Sequence, residues 1–138
     1  MIHRVSQAQF SALCSYVTDK IEKEHGKPIV ISIADEAGDI IHMTHMDGTP
    51  SRSGIIASGK AYTAAKMNRS TTALRQFCEE SKTPISDFVI QGMTTMPGGT
   101  PVLDKKGELA GAVGVSGRSA AEDQEMADLC AAFLSDLC

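Results

Sequence analysis

One glycine-rich segment, residues 98–117, constrains the fold of this chain more than any other feature. Within it, Lys105, Lys106 and Gly107 predict a tight turn, because glycine readily adopts the positive φ that such turns need. The run that follows carries four small residues between 109 and 115, where a ligand or another chain can approach the backbone closely. Ser119 and Glu122 then form a capping box. The segment therefore predicts a hairpin that leads through a glycine-lined turn into a helix.

The remaining elements follow from apolar spacing and turn residues. A capping box of Ser6 and Gln9 predicts a first helix, which ends near Gly26. Further predictions are a strand at 29–34, a turn at 35–39, a strand at 40–46, a small-residue helix at 53–67, a shorter helix after it, a short strand around 88–90 in a ligand-facing loop, and a last helix after 119. This order predicts an α+β domain on an antiparallel sheet of about five strands.

Composition limits the class of protein. A chain of 138 residues, 42% of them hydrophobic, is the size of one domain, so we expect a single domain over 1–138. The net charge is -4, and no basic run or aromatic platform suggests nucleic acid as a partner. No secretory signal or membrane-length apolar run is visible, which predicts a cytoplasmic protein without membrane contact. The four cysteines are too scattered for a metal or redox motif, and the first three, Cys14, Cys78 and Cys130, are expected to pack as small apolar side chains.

Catalytic motifs are not apparent in the sequence. It contains no nucleophile elbow, no phosphate-binding loop and no zinc-protease motif. The spacing of Gly111, Gly114 and Gly117 indicates a strand rather than a dinucleotide-binding turn. We therefore predict no catalytic residue.

Short motifs in a fixed order resemble the GlcG/HbpS family, which includes the haem-binding C-terminal domain of PduO-type corrinoid adenosyltransferases. The resemblance runs from about Ile29 into the last helix. Its motifs are Ala34-Asp35-x-x-Gly38, Met46-Asp47-Gly48, Lys60-Ala61-x-Thr63-Ala64, Gly98-Gly99-x-Pro101, Gly114-Val115-Ser116-Gly117 and Asp123-Gln124. The resemblance implies a three-layer α/β/α, profilin-like domain that forms dimers or larger rings and binds haem in several relatives. This chain departs from the family at His45, where arginine is common, and at Arg118, where a second glycine is common.

Haem needs an axial donor, usually a neutral histidine, beside an apolar surface. We rank His45 and His3 as the candidate ligands of a haem iron, with a surface histidine and a solvated tail as their respective alternatives. His42 lies three residues from His45, so a regular strand sends the two to opposite faces and they cannot chelate one metal together. His25 is expected at the end of the first helix, where the helix dipole accounts for it.

A second group of residues suggests a pocket for a carboxylate-bearing ligand. Its members are cations, glycine amides able to form an anion-binding nest, and neighbouring polar residues. They are Arg52, Lys60, Thr63, Gly98, Gly99, Gly117, Arg118 and Asp123. The structural alternatives are a solvated lysine, glycines that only serve turns, and an aspartate that favours a helix N-terminus.

Two hypotheses of function follow. The first is a homo-oligomeric haem-binding carrier, sensor or accessory protein, in which a haem with one open axial position could support weak peroxidase-like or haem-degrading chemistry. The alternative is a non-haem accessory protein of diol, glycolate or corrinoid-related metabolism that binds a carboxylate.

Overall fold

The computed structural model describes residues 4–138. These residues form four α-helices and four strands. They are α1 (Gln7–Glu24), β1 (Val30–Ala34), β2 (Ile40–His45), α2 (Arg52–Met67), α3 (Thr71–Ser81), β3 (Gly99–Leu103), β4 (Leu109–Ser116) and α4 (Ala120–Leu137), with a one-turn 3₁₀ helix at Ile85–Phe88. Both predicted capping boxes are confirmed, at Ser6 with Gln9 and at Ser119 with Glu122.

The sheet is antiparallel throughout and its strand order is β2-β1-β4-β3. Both predicted hairpins are present, and Gly107 has a φ of 79° in the second turn. The sheet has four strands rather than about five. The apolar run at 88–90 does not form the predicted strand, because Phe88 ends the 3₁₀ helix and Val89 adopts the left-handed region at a φ of 59°. A residue in that conformation cannot continue an extended ladder.

Helices cover both faces of the sheet, which confirms the three-layer α/β/α architecture. Side chains at odd positions of the central strands, such as Ile31 and Val113, join an apolar core with α1 and α4. The even positions face α2, where Ala34 and Ala112 meet an alanine cluster. A Cβ placed on Gly114 would overlap the carbonyl oxygen of Ala57, so the backbone of α2 lies directly on β4.

The prediction of a packing role is confirmed for Cys130. Cys130 is fully buried in the core beneath α4. Burial raises the pKa of its thiol to about 12, so the thiol stays protonated and unreactive at neutral pH. Within residues 4–138, no helix is both long and apolar enough to span a membrane.

Candidate functional site

A groove of about 390 Å³ lies between the edge strand β2 and the first turns of α2. Met43 and His45 point into it together, because side chains two residues apart share one face of a strand. Ile55 supplies an apolar wall from α2. Gly54 makes room for the imidazole, since a Cβ there would lie 2.6 Å from His45 Nε2. The sequence therefore places one imidazole in a groove with thioether and aliphatic walls.

A hydrogen-bond chain fixes the tautomer of His45. The hydroxyl of Thr49 donates its only proton to the carbonyl oxygen of Met46 at 2.8 Å. Thr49 Oγ1 lies 3.2 Å from His45 Nδ1, and having already donated, it can only accept there. In the neutral imidazole Nδ1 therefore carries the proton, and Nε2 over Gly54 keeps its lone pair. That form of histidine is the one that binds a metal.

The other histidines have different surroundings. His42 faces α1, as the odd spacing predicted, where its ring stacks on Phe10 with centroids 5.0 Å apart. Its Nε2 donates to the carbonyl oxygen of Val5 at 2.9 Å, so His42 holds the chain that enters α1. His25 caps the end of α1 in the left-handed conformation. The candidate ligand His3 lies outside the described residues.

A second cavity, of about 250 Å³, lies between the start of α2 and the loop that joins β4 to α4. We call it the α2–α4 cavity. The structure brings five of the eight predicted pocket residues to its wall. They are Arg52, Lys60, Gly117, Arg118 and Asp123.

Lys60 and Asp123 form a buried ion pair at this cavity. Lys60 is only 1% exposed, which contradicts the solvated-lysine alternative. Its Nζ donates to the carbonyl oxygen of Val115 at 2.8 Å and to Asp123 Oδ2 at 3.1 Å. Asp123 Oδ1 accepts from the backbone amide of Arg118. Burial raises the pKa of Asp123, while the Lys60 charge acts in the opposite direction.

The predicted anion nest at Gly98 and Gly99 is wrong. The amide of Gly98 donates to Gln124 Oε1 at 2.8 Å and that of Gly99 donates to Thr71 Oγ1 at 2.9 Å. Both amides are therefore used inside the protein. Gly98 is instead required by space, because a Cβ there would lie 2.6 Å from the carbonyl oxygen of Val115.

Thr63 is also internal to the fold. It donates to the carbonyl oxygen of Gly59 and accepts from the amide of Thr94, and so anchors the loop before β3 to α2. Its side chain is fully buried, away from the α2–α4 cavity. Thr63, Gly98 and Gly99 thus support the walls rather than line them.

Sequence reasoning missed two serines of the α2–α4 cavity. Ser53 and Ser116 are 4% and 6% exposed, and both lie at its wall. Ser116 stood within a recognised motif, but no spacing pattern pointed to Ser53. Only the approach of α2 to the end of β4 brings them together.

The fold is a small α/β/α domain with cavities at both sides of the start of α2. Among residues 4–138, no three His, Cys, Asp or Glu side chains converge as a metal-binding cluster. Of the described His, Cys, Asp and Glu residues, His45 is the one that lines the groove, and a single imidazole is a ligation that a haem iron accepts.

The chain belongs to the HbpS-like family, whose model is described as haem degrading protein HbpS-like and matches residues 5–132. Protein GlcG of Escherichia coli (strain K12) is 30% identical over 112 residues, which are 81% of each chain. The crystal structure of HbpS superposes with a TM-score of 0.81 at 26% identity, covering 96% of this chain and 91% of that one. The crystal structure of a PduOC:haem complex superposes with a TM-score of 0.79 at 24% identity, covering 94% of each chain.

Proposed function

We propose that this protein is a haem-binding carrier, sensor or accessory protein, with His45 as the axial ligand of the iron. The observation that carries the proposal is the Thr49–His45 hydrogen bond, which leaves the Nε2 lone pair over Gly54 in a partly apolar groove. The family's description and the haem-bound state of the PduOC relative support haem as the molecule that this protein binds.

The residues of the His45 groove fit a porphyrin in chemistry. Met43 and Ile55 offer apolar contact for the ring, and they are 40% and 80% exposed. Haem bound there would supply a redox-active iron. This chain's own contribution is to orient one imidazole and to cover one part of the ring. We assign no catalytic residue.

A homo-oligomer is part of the proposal. The groove is a shallow surface feature, so one protomer leaves much of a porphyrin in water. Exposed apolar side chains beside an open ligand groove are suited to contact with a second surface. A second copy of this chain would exclude water from the bound ring, and His3 from that copy or the same one remains a candidate second ligand.

The test is a hemin titration followed by the Soret band across size-exclusion fractions. We expect a saturable signal on the wild-type protein that is lost in His45→Ala. His25→Asn is the matched control, since it removes an exposed imidazole while asparagine tolerates the left-handed cap. His3→Ala tests the second candidate.

A second pair of variants tests the orientation of the imidazole. Thr49→Val removes the acceptor of the Nδ1 proton, and we expect hemin affinity to fall roughly 10-fold or more. Thr49→Ser keeps the hydroxyl and should bind as wild type does. A Soret signal unchanged in His45→Ala would overturn the assignment of His45 as the ligand, and a signal unchanged in both His45→Ala and His3→Ala would reject both candidates.

A further inference from the structure

The α2–α4 cavity has features of an anion site that are independent of haem. Four charged residues line it, and the charges of Lys60 and Asp123 cancel in their ion pair, which leaves the charges of Arg52 and Arg118. The guanidinium of Arg118 is held by the carbonyl oxygen of Lys27. Arg52 is exposed and makes no ion pair with any residue from 4 to 138. One unpaired guanidinium therefore stands at the cavity.

Two hydroxyl groups from largely buried residues open onto the same space. Ser53 and Ser116 are more than nine-tenths buried, yet their side chains make no hydrogen bond within the described part of the chain. In that part, no fully buried polar side-chain atom lacks a partner. Each hydroxyl must therefore open onto the cavity that its residue lines. Both hydroxyls are free of partners within the described part of the chain and can donate to a ligand that accepts hydrogen bonds in the cavity.

The start of α2 adds to the positive potential. Arg52 and Ser53 are the first two residues of this 16-residue helix, and the N-cap residue Ser51 makes no capping hydrogen bond with its side chain. The N-terminus of a helix favours a negative group. The helix dipole, the guanidinium and the two hydroxyls thus favour the same kind of ligand.

We propose that the α2–α4 cavity binds the carboxylate of a small organic acid through Arg52, Ser53 and Ser116. Arginine pairs with a carboxylate through two parallel N–H donors, and the hydroxyls donate to the remaining lone pairs. Asp123 is hydrogen-bonded to Lys60 and to the Arg118 amide, and not to Arg52, Ser53 or Ser116. The proposal moves the carboxylate site predicted from sequence away from Gly98 and Gly99, whose amides are occupied.

The apolar wall and the volume limit the size of the acid. Ile56 and Met96 also line the cavity, and Met96 is 49% exposed. A cavity of about 250 Å³ is smaller than the pockets of drug-sized ligands. We therefore expect an acid with a short carbon chain of about four atoms or fewer.

Chemical-shift titration of the haem-free protein with acetate and butyrate tests the proposal. The amides of Ser53 and Ser116 should shift with a saturable dependence on acid concentration. Acetamide, which has the shape of acetate without its charge, should leave them unshifted. Arg52→Gln should weaken binding roughly 10- to 100-fold, because a charge-assisted hydrogen bond is lost. Arg52→Lys keeps the positive charge but lacks the two parallel N–H donors of arginine. Its affinity for the acid should therefore lie between those of Arg52→Gln and wild type.

Arg69→Gln is the matched control, since Arg69 lies beyond the other end of α2 and contacts the Phe77 ring. Binding equal in Arg52→Gln and wild type would overturn the proposal, as would equal shifts with acetamide. The double variant Ser53→Ala/Ser116→Ala is a second test that leaves the exposed guanidinium in place, and wild-type affinity there would also contradict it.

The same titration distinguishes a free acid from the propionate of a haem. Saturable binding of butyrate that persists in His45→Ala supports a site for a free acid. If hemin displaces butyrate from wild type but not from His45→Ala, the carboxylate that reaches the cavity in the loaded protein is a propionate. Failure of hemin binding with butyrate binding intact would reject the haem proposal alone.

Discussion

At the scale of the residue, the direction in which Thr49 donates its hydroxyl proton distinguishes His45 from His42. Thr49 donates that proton to a backbone carbonyl and so becomes an acceptor for Nδ1. His42 has the opposite arrangement, because its Nε2 donates to Val5. The two imidazoles lie three positions apart on one strand, and their neighbours alone make one of them available as a ligand through Nε2.

Backbone strain at Val89 is a second feature at this scale. Val89 has a φ of 59° and is 87% exposed, so a β-branched residue holds a left-handed conformation without burial in return. Left-handed backbone costs L-residues about 1–2 kcal/mol, and asparagine tolerates it better. We expect Val89→Asn to raise the free energy of unfolding by about 1 kcal/mol, measured by urea denaturation.

The control for Val89 is Ile55→Asn. Ile55 is 80% exposed and lies within α2, in right-handed helical backbone. The same gain in polarity there should lower stability by a few tenths of a kcal/mol, about the difference in helix propensity. Equal stabilisation by both variants would show that exposed apolar surface, rather than backbone strain, is responsible.

At the scale of the element, the close packing of α2 on β4 depends on glycine. The Cβ of an alanine at 114 would overlap the Ala57 carbonyl oxygen and lie 2.6 Å from the Ala61 amide nitrogen. Backbone atoms of a helix cannot move aside as a side chain can. We expect Gly114→Ala to lower the free energy of unfolding by about 3 kcal/mol or more, measured by thermal and urea unfolding.

Gly59→Ala tests whether this cost is specific to the interface. Gly59 lies in α2, and the nearest atom to an added Cβ, Thr94 Cγ2, is at an ordinary contact distance of 3.7 Å. Alanine favours the helix by about 1 kcal/mol, so this variant should be more stable than wild type. A loss of stability at 59 similar to that at 114 would contradict the packing argument.

At the scale of the whole molecule, the Lys60–Asp123 pair joins α2 on one face of the sheet to α4 on the other. Lys60→Met would leave Asp123 buried without its cation. Removing one partner of a buried ion pair lowers the free energy of unfolding by about 3–5 kcal/mol. We expect a loss of this size for Lys60→Met near pH 7, measured by urea unfolding. Lys60→Met/Asp123→Asn should recover part of this loss, because no unpaired charge remains.

The pH dependence of the stability of Lys60→Met tests the direction of the Asp123 pKa shift. Burial already raises the pKa of Asp123 above its ordinary value of 3.8, and the Lys60 charge that opposes this rise is absent in the variant. The folded variant therefore binds the Asp123 proton more tightly than the unfolded chain. The resulting stabilisation is fully present below pH 3.8 and is lost as the pH rises through the folded-state pKa. The difference in free energy of unfolding between wild type and Lys60→Met should shrink as the pH falls toward 4. A difference that stays constant with pH would contradict this account.

The sequence by itself determined the elements whose signals are local. The capping boxes at Ser6 and Ser119, the turn at Gly107 and the opposite faces of His42 and His45 depend on neighbours within a few residues, and the structure confirms them. The motifs also indicated the family and its three-layer fold. The strand predicted around Val89 does not form, because the apolar residues that indicated it lie at a left-handed turn.

Only the tertiary structure decided which polar groups are free. Lys60 finds its partner 63 positions away in Asp123, and the Gly98 amide finds Gln124, so two groups that resembled ligand contacts are satisfied inside the protein. Ser53 and Ser116 come from separate elements and meet at one cavity with no partner from residues 4–138. Hydrogen bonds are short-ranged, so whether a donor is available depends on atoms that the fold, and not the local sequence, brings within 3.5 Å of it.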